Sequence, residues 1–381
     1  MLPELLRIGL LQHAATLSLT LSGPGVLLDA GGQQRFVSGG APLAFAWLGD
    51  HLEGALPSTG GKAETVKLSL PLRLSGQDAF QWKGSWYRGE AELVADNRGL
   101  TLVDVVAPET YLRGVVPKEM PPAWPMEALK VQAVAARTYL AATLGRFAKE
   151  GFDLHADDRS QVYGGMSAEQ PRTNDAVRST AGLVLTWLGS PIKAYYSSGA
   201  GGMTEANDAV DGFAERGPDG RLEALPYLRP VVDFDWASRR YLWEREVSSD
   251  QLAGALEDAK LGVGTPLSIT VAERSPSGRA RWVRVRGTNG ERDLPGTRLR
   301  RVLRLDSTLF EVGRVRARTF LFSGRGWGHG VGMSQSGARQ LADWGWDHAE
   351  ILAHYYPGTR LERAKASTVS TTTEALRKAT P

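Results

Sequence analysis

YLRGVVPKEMPPAWPMEALKVQAVAARTY, residues 111–139, runs from an apolar stretch through a proline-rich turn into a long helical pattern. The apolar stretch reads as extended chain and ends at Glu119. From Pro125 to about Ala148 the pattern is helical. Pro125 suits the first helical position, where a missing N–H costs nothing, and Glu127 favours the positive end of a helix. The AVAA run supplies small residues that allow close packing. Glu119, held between the apolar run and the turn, can point into a cleft. A partly dry cleft disfavours the charged carboxylate and makes a glutamate a usable general acid. The competing reading is a solvated turn residue.

Upstream, residues 7 to 104 are β-rich. Apolar and polar residues alternate in ATLSLTLSG, TVKLSLPLRLSG and LTLVDVV, with Gly, Asp and Asn between. No catalytic constellation appears there. Downstream, the pattern predicts a short helix over Asn174–Ala181, a strand over 182–187 and a second strand over Ile192–Ser197 leading into a glycine-rich loop. A helix is predicted over Asp250–Lys260 with Ser249 as its cap. A hairpin follows, with strands over Leu267–Glu273 and Ala280–Arg286. Helices are predicted over Leu294–Leu305, Ser334–Trp344 and His348–Tyr356. The fold class is α+β: a β-rich N-terminal part (1–104), a mixed α/β core (105–360) and a disordered tail (361–381), with Ser- and Thr-rich sequence from Ala366 to Pro381.

Composition narrows the function classes. With 381 residues, 42% hydrophobic and 23% charged, the chain is long enough for two structural units with a sizeable core. A net charge of +3 is too small to argue for nucleic acid and suits an acidic polymer such as cell wall. Eleven tryptophans provide apolar faces and N–H donors that suit sugar rings as well as core packing. The absence of cysteine excludes disulfides and thiolate zinc sites. No apolar run is long enough for a transmembrane helix. The N-terminus reads as strand and lacks a clear signal peptide, through removal of an export signal or a misassigned start.

GRGWGHGVGMSQSGA, residues 324–338, is the densest glycine segment. Glycine allows positive φ and close approach to a ligand. The spacing excludes a phosphate-cradling loop, since no Gly triplet at i, i+2, i+5 occurs and no GKS or GKT follows. It also excludes a nucleophile elbow, because Ser336 stands where the second glycine belongs. Ser334 reads as the N-cap of the next helix. His329 suits a hydrogen bond to a sugar, or to Glu119, as well as a structural bond within a tight hairpin. Arg137, about three turns into its alanine-rich helix, suits a structural ion pair or a fork holding substrate oxygens. Tyr196, Ser197, Ser198 and Gly199 leave a strand for a loop, a usual place for binding groups. Gln161 and Tyr163 add an amide and a phenol. No HExxH occurs, and the six histidines are scattered.

Taken together, the EM-P turn at Glu119 with QAVAARTY behind it, QVYGG at 161–165, AYYSSGAGGMTE at 194–205, GRGWGHGVGMSQSGA at 324–338 and AHYYPGT at 353–359 resemble, in order, the motifs of the SpoIID/LytB family of cell-wall proteins. The likeness covers residues 105 to 360. It implies a location in the cell envelope or outside the cell. It also implies cleavage of peptidoglycan by a lytic transglycosylase that acts on strands denuded of stem peptides, with Glu119 as acid and base. The implied substrate-binding set is Arg137, Gln161, Tyr163, Tyr196, Ser197, Ser198, Gly199, His329, Gly330, Ser334 and Gln335. No cofactor is implied. The other branch of the family implies a non-catalytic wall-binding protein that recruits or stimulates an amidase.

One glutamate suffices for a lytic transglycosylase. Most glycosidases use two carboxylates. Here the muramic acid's own C6 hydroxyl attacks the anomeric carbon, and intramolecular positioning replaces the second group. Glu127, Glu205 and Asp157 stand as partners for a hydrolytic alternative. Some relatives carry a Cys/His cluster before the QVY motif. The corresponding FDLHADDRSQVY, 152–163, offers His155, Asp153, Asp157 and Asp158 beside Arg159 and Ser160, a poor zinc cage, so no metal is expected.

Overall fold

The computed structural model describes residues 2–57, 63–216 and 220–364. The fold is α+β, with a β-rich N-terminal region. Its helices are α1 (Pro108–Glu119), α2 (Met126–Thr143), α3 (Pro171–Ser179), α4 (Ser249–Asp258), α5 (Gly296–Leu303), α6 (Gln335–Asp343) and α7 (His348–Tyr355). The tail from Ala366 to Pro381 lies outside the described residues, and a strand, Arg360–Arg363, runs past residue 360. Among the described residues, no helix is long and apolar enough to cross a membrane.

The chain divides into two compact units. The first comprises 1–123, 132–184 and 362–381, the second 124–131 and 185–361. The division does not fall at residue 104, because the helices after the strands complete the strands' core. Leu17, Leu19, Leu72, Leu74, Leu93 and Leu102, at alternating strand positions, share one buried cluster with Tyr111, Leu112, Val115 and Val116 of α1 and Ala133, Ala136 and Leu140 of α2.

In the first unit a seven-stranded sheet runs, in spatial order, Leu154–His155, Leu6–Ala14, Gly99–Val106, Glu90–Asp96, Leu72–Gly76, Gly25–Leu28, Gln34–Val37. Only the pairing of Leu6–Ala14 with Leu154–His155 is parallel. A six-stranded antiparallel sheet carries Thr16–Leu21 at its middle, and its alternation of exposed and buried residues is the period-2 signal of a half-buried strand. The apolar run before Glu119 is helix, not extended chain. Pro108 opens it, Glu109 lies in its first turn, and its buried positions 111, 112, 115 and 116 have helical spacing. Helix α2 runs shorter than predicted, to Thr143, and within the first unit residues 132–140 are buried all round.

In the second unit two three-stranded antiparallel sheets and helices α4 and α5 enclose a separate core around Leu252, Val283, Leu299 and Phe322. The hairpin predicted over Leu267–Glu273 and Ala280–Arg286 is present as Pro266–Arg274 and Ala280–Gly287. The cap of α4 is Ser248 rather than Ser249, in a capping box with Gln251. The strand predicted over 192–197 shrinks to Tyr196–Ser197, which pairs in parallel with Met333–Ser334.

Candidate functional site

Glu119 is the last residue of α1, half-buried. The carbonyl end of a helix carries partial negative charge, which disfavours a further anion there. The amide of Val162 donates to Glu119 Oε1 at 3.3 Å, so the QVYGG segment lies directly against the carboxyl. The approach requires a glycine in mid-helix: a Cβ at Gly114 would fall 2.5 Å from the Tyr163 ring and 2.8 Å from the Gly165 carbonyl. The Tyr111 hydroxyl, buried in the same helix, is kept protonated by burial first and by the nearby Glu119 charge second.

Arg137 is fully buried. Its Nε and Nη2 each donate to Glu109 at 2.8 Å, a bidentate fork, and Nη1 and Nη2 also reach the carbonyls of Leu183 and Val177 at 3.2 and 3.3 Å. Of the two roles open to Arg137 from the sequence, the geometry supplies the ion pair. Gln161 is buried and its Nε2 donates to the Ala136 carbonyl at 3.3 Å. Tyr163 is also buried. Its hydroxyl donates to Asp104 Oδ2 at 2.8 Å and its ring packs 4.8 Å from Tyr111. Burial raises Asp104 to about 7 against that hydrogen bond.

The second unit brings together the other two motifs. Gly199 and Trp327 exchange backbone hydrogen bonds at 3.1 and 2.9 Å, and Glu205 N donates to the Gly330 carbonyl at 2.8 Å. Tyr196 and Ser197 pair with Met333 and Ser334. Ser336 N donates to the Ser198 carbonyl at 3.0 Å. His329 ties this crossing from both ring nitrogens: Nδ1 accepts from Val331 N and Nε2 donates to the Tyr196 carbonyl, each at 3.0 Å. Those partners require the neutral imidazole, and burial lowers its pKa to about 3. Ser334 caps α6 by accepting from Gly337 N at 3.1 Å, as read from the sequence, and Gln335 is buried at the start of that helix. The glycines serve chain-to-chain approach. A Cβ at Gly330, where φ is +79°, would fall 2.2 Å from the Arg279 guanidinium.

The other candidate carboxylates are engaged. Glu205 is buried and accepts from Ser275 and Ser277. Burial alone would raise Glu127, but hydrogen bonds from Lys130 and His348 hold it below the usual range. Asp157 is lowered by its fork to Arg159, at 2.9 and 2.7 Å. His155 is buried between Phe147 and Phe152, with ring centroids at 4.4 and 4.8 Å. Among the described residues no group of His, Asp and Glu is arranged to hold a metal ion.

Sequence reasoning missed three features. Glu109 was not recognised as the partner of Arg137; the only local signal was the Pro108–Glu109 start of α1. Asp233 and Asp235, both buried, fasten the Gly199–Gly202 loop through the amides of Ala200, Gly201 and Gly202 at 3.1, 2.8 and 3.0 Å. Burial, then the Asp233 charge, raises Asp235 to about 6. Finally, four tryptophans, Trp236, Trp282, Trp344 and Trp346, are exposed, and Trp236 and Trp344 pack on Phe234 at 5.7 and 5.3 Å.

Comparison with known proteins gives a consistent picture. The profile of the stage II sporulation protein family matches residues 96–187, and a domain of unknown function matches residues 224–332. Stage II sporulation protein D of Bacillus amyloliquefaciens is 32% identical over 278 residues, 69% of this chain and 76% of that protein. An uncharacterised protein of Brachyspira hyodysenteriae is 32% identical over 284 residues, 74% of each chain. The amidase enhancer of Bacillus subtilis is 32% identical over 300 residues, 66% of this chain and 40% of that longer protein.

Proposed function

The chain belongs to the SpoIID family, and from that premise we propose that it cleaves the glycan strands of peptidoglycan as a lytic transglycosylase in the cell envelope. The observation that carries the reading is the position of Glu119, half-buried at the carbonyl end of α1 with the QVYGG segment against its Oε1. The alternative carboxylates Glu205, Glu127 and Asp157 are held by internal partners.

In this mechanism the Glu119 carboxyl gives its proton to the glycosidic oxygen as the bond from that oxygen to the muramic acid C1 breaks. The C6 hydroxyl of the same sugar attacks C1 and returns its proton to the Glu119 carboxylate. The products are a strand ending in a free hydroxyl and a 1,6-anhydro-muramic acid end. No water is consumed, and intramolecular attack supplies the effective concentration that a second carboxylate would otherwise provide. Mass spectrometry of denuded glycan strands after incubation tests this. Ends lighter than hydrolysis products by one water are expected. Reducing ends would make water the nucleophile and require a second acid.

A second reading, a wall-bound protein that stimulates or recruits an amidase, is favoured by two observations. One is the match to the amidase enhancer of Bacillus subtilis. The other is the inward engagement of Arg137, Gln161, Tyr163 and His329. Tight binding to purified wall without product release, together with faster turnover by an added wall amidase, would select it.

A further inference from the structure

In the second unit, a cleft of about 430 Å³ is lined by Arg245, Arg300, Arg301 and Arg304 together with Phe213 and Trp327. That volume is in the range of small-ligand sites, ~300–1,000 Å³. Among the described residues, none of the four guanidiniums has an ion-pair partner. Among the described residues, Arg245 and Arg300 donate to main-chain carbonyls, those of Leu303, Leu305 and Asp306. The contrast with the neighbouring sheet is sharp. There Arg281, Arg284 and Arg286 pair with Glu273, Asp293 and Glu291. A larger cleft of about 550 Å³ in the same unit contains Arg274, which is paired with Glu311.

The helix dipole explains part of the cation cluster, since Arg300 and Arg301 close the last turn of α5. It does not explain Arg245, which comes from the strand Leu242–Ser248 and points its charge at the same cleft. Burial, and the adjacent Arg301 charge, work against the charge on Arg300, with Asp306 compensating in part. Asp211, the other acid in the cleft, already accepts from Thr297 at 3.0 Å. Four guanidiniums against two acids leave the cleft with an excess of positive charge, which favours an anion there. Phe213 and Trp327 line the same cleft and supply aromatic surface of the kind a sugar ring covers.

We infer that this cleft binds an acidic sugar, with its carboxylate on the forks of Arg301 and Arg304 and its ring against Trp327 and Phe213. The planar fork of arginine matches a carboxylate. The inference rests on the glycan-strand reading above and adds a subsite that recognises charge on the strand.

Calorimetric titration of the intact protein with N-acetylmuramic acid tests it. Saturable binding is expected, weakening as salt rises. N-acetylglucosamine, which lacks the carboxylate, is expected to bind at least ~10-fold more weakly, about 1.4 kcal/mol. R301A/R304A is expected to lose the same ~10-fold, and R301Q/R304Q serves if the alanine pair fails to fold. R284A/R286A, on the paired sheet, is expected to bind as wild type does. The inference is overturned by any of four results: no saturable binding, equal affinity for N-acetylglucosamine, equal affinity for inorganic phosphate, or wild-type affinity in the arginine variants. Strand cleavage with no sugar-acid binding rejects this subsite alone. Sugar-acid binding in a protein whose E119Q variant cleaves normally rejects the role of Glu119 alone.

Discussion

The segment around Glu119 and the glycine-rich crossing of the second unit are both dense in motif residues, and they use their polar groups differently. In the crossing, both nitrogens of His329, the Ser334 hydroxyl and the carboxylates of Asp233 and Asp235 bind the chain itself. Its glycines let one segment lie on another. In the first unit the same inward use applies to Arg137, Gln161 and Tyr163, which bind Glu109, the Ala136 carbonyl and Asp104, while the half-buried carboxyl of Glu119 at a helix end accepts from the Val162 amide. A motif therefore contains many residues that hold and few that react, and the two regions should respond differently to substitution.

The largest expected effect is at Glu119. Glu119→Gln keeps the shape and removes the transferable proton, so strand cleavage should fall by about 10²- to 10⁴-fold with little change in melting temperature. A folded variant, verified by circular dichroism, that cuts at the wild-type rate would remove Glu119 from the chemistry and erase the distinction between the two regions.

Arg137→Ala should be the most destabilising change among the holding residues. It leaves Glu109 and buried carbonyls without their donor. Glu109 keeps 35% of its side-chain surface exposed, so the cost should lie near the low end for a broken buried pair, about 3 kcal/mol. Denaturant unfolding measures it. Normal stability with lost turnover would restore Arg137 to the substrate.

The strands were legible because half-buried antiparallel strands alternate, as in Thr16–Leu21. Helix α2 was legible from its length and its proline start. Helix α1 was not, since YLRGVV is short and rich in β-branched residues, and only the spacing of 111, 112, 115 and 116 betrays it. The chemistry-bearing segments were found by their motifs, but their partners lie far along the chain: Glu109 for Arg137, Tyr196 for His329, Asp235 for Gly201. No local pattern reports a contact of that range. The cleft arginines show the same limit, because Arg245 and Arg301 meet only through the fold.

His329 offers a pH signature for the crossing. Its pKa is about 6.5 in the unfolded chain and about 3 when folded, with burial as the main cause. A depressed folded pKa means that the unfolded chain binds the proton first. Its contribution is thus complete above pH 6.5 and is lost as pH falls from there toward 3. The ring retains some exposure, so the loss should be smaller than full burial implies. His329→Gln should lower stability at neutral pH by about 1–3 kcal/mol and flatten the decline between pH 6.5 and 4. An unchanged acid limb would show that another group governs it and that His329 is not the tie of the crossing.

The smallest expected effect is that of metal removal. In the first unit, the stretch before the QVY motif is already held by protein groups. Asp157 is forked to Arg159 at 2.9 and 2.7 Å, and Ser160 Oγ accepts from His155 N at 3.1 Å. Asp153 Oδ2 accepts from Arg7 N at 2.9 Å. The His155 ring is enclosed by two phenylalanines, with Glu150 at 3.5 Å from its Nε2. Structural zinc needs about four ligands, usually thiolates or several imidazoles. One enclosed imidazole and carboxylates bound to guanidinium do not supply them. Elemental analysis of protein purified without chelator should therefore find well below one zinc per chain, and a chelator should leave both melting temperature and activity unchanged. Zinc near one equivalent, lost together with stability on chelation, would make His155 a ligand. The stretch beside Glu119's segment would then be held by a metal, unlike the crossing of the second unit, which its own hydrogen bonds hold.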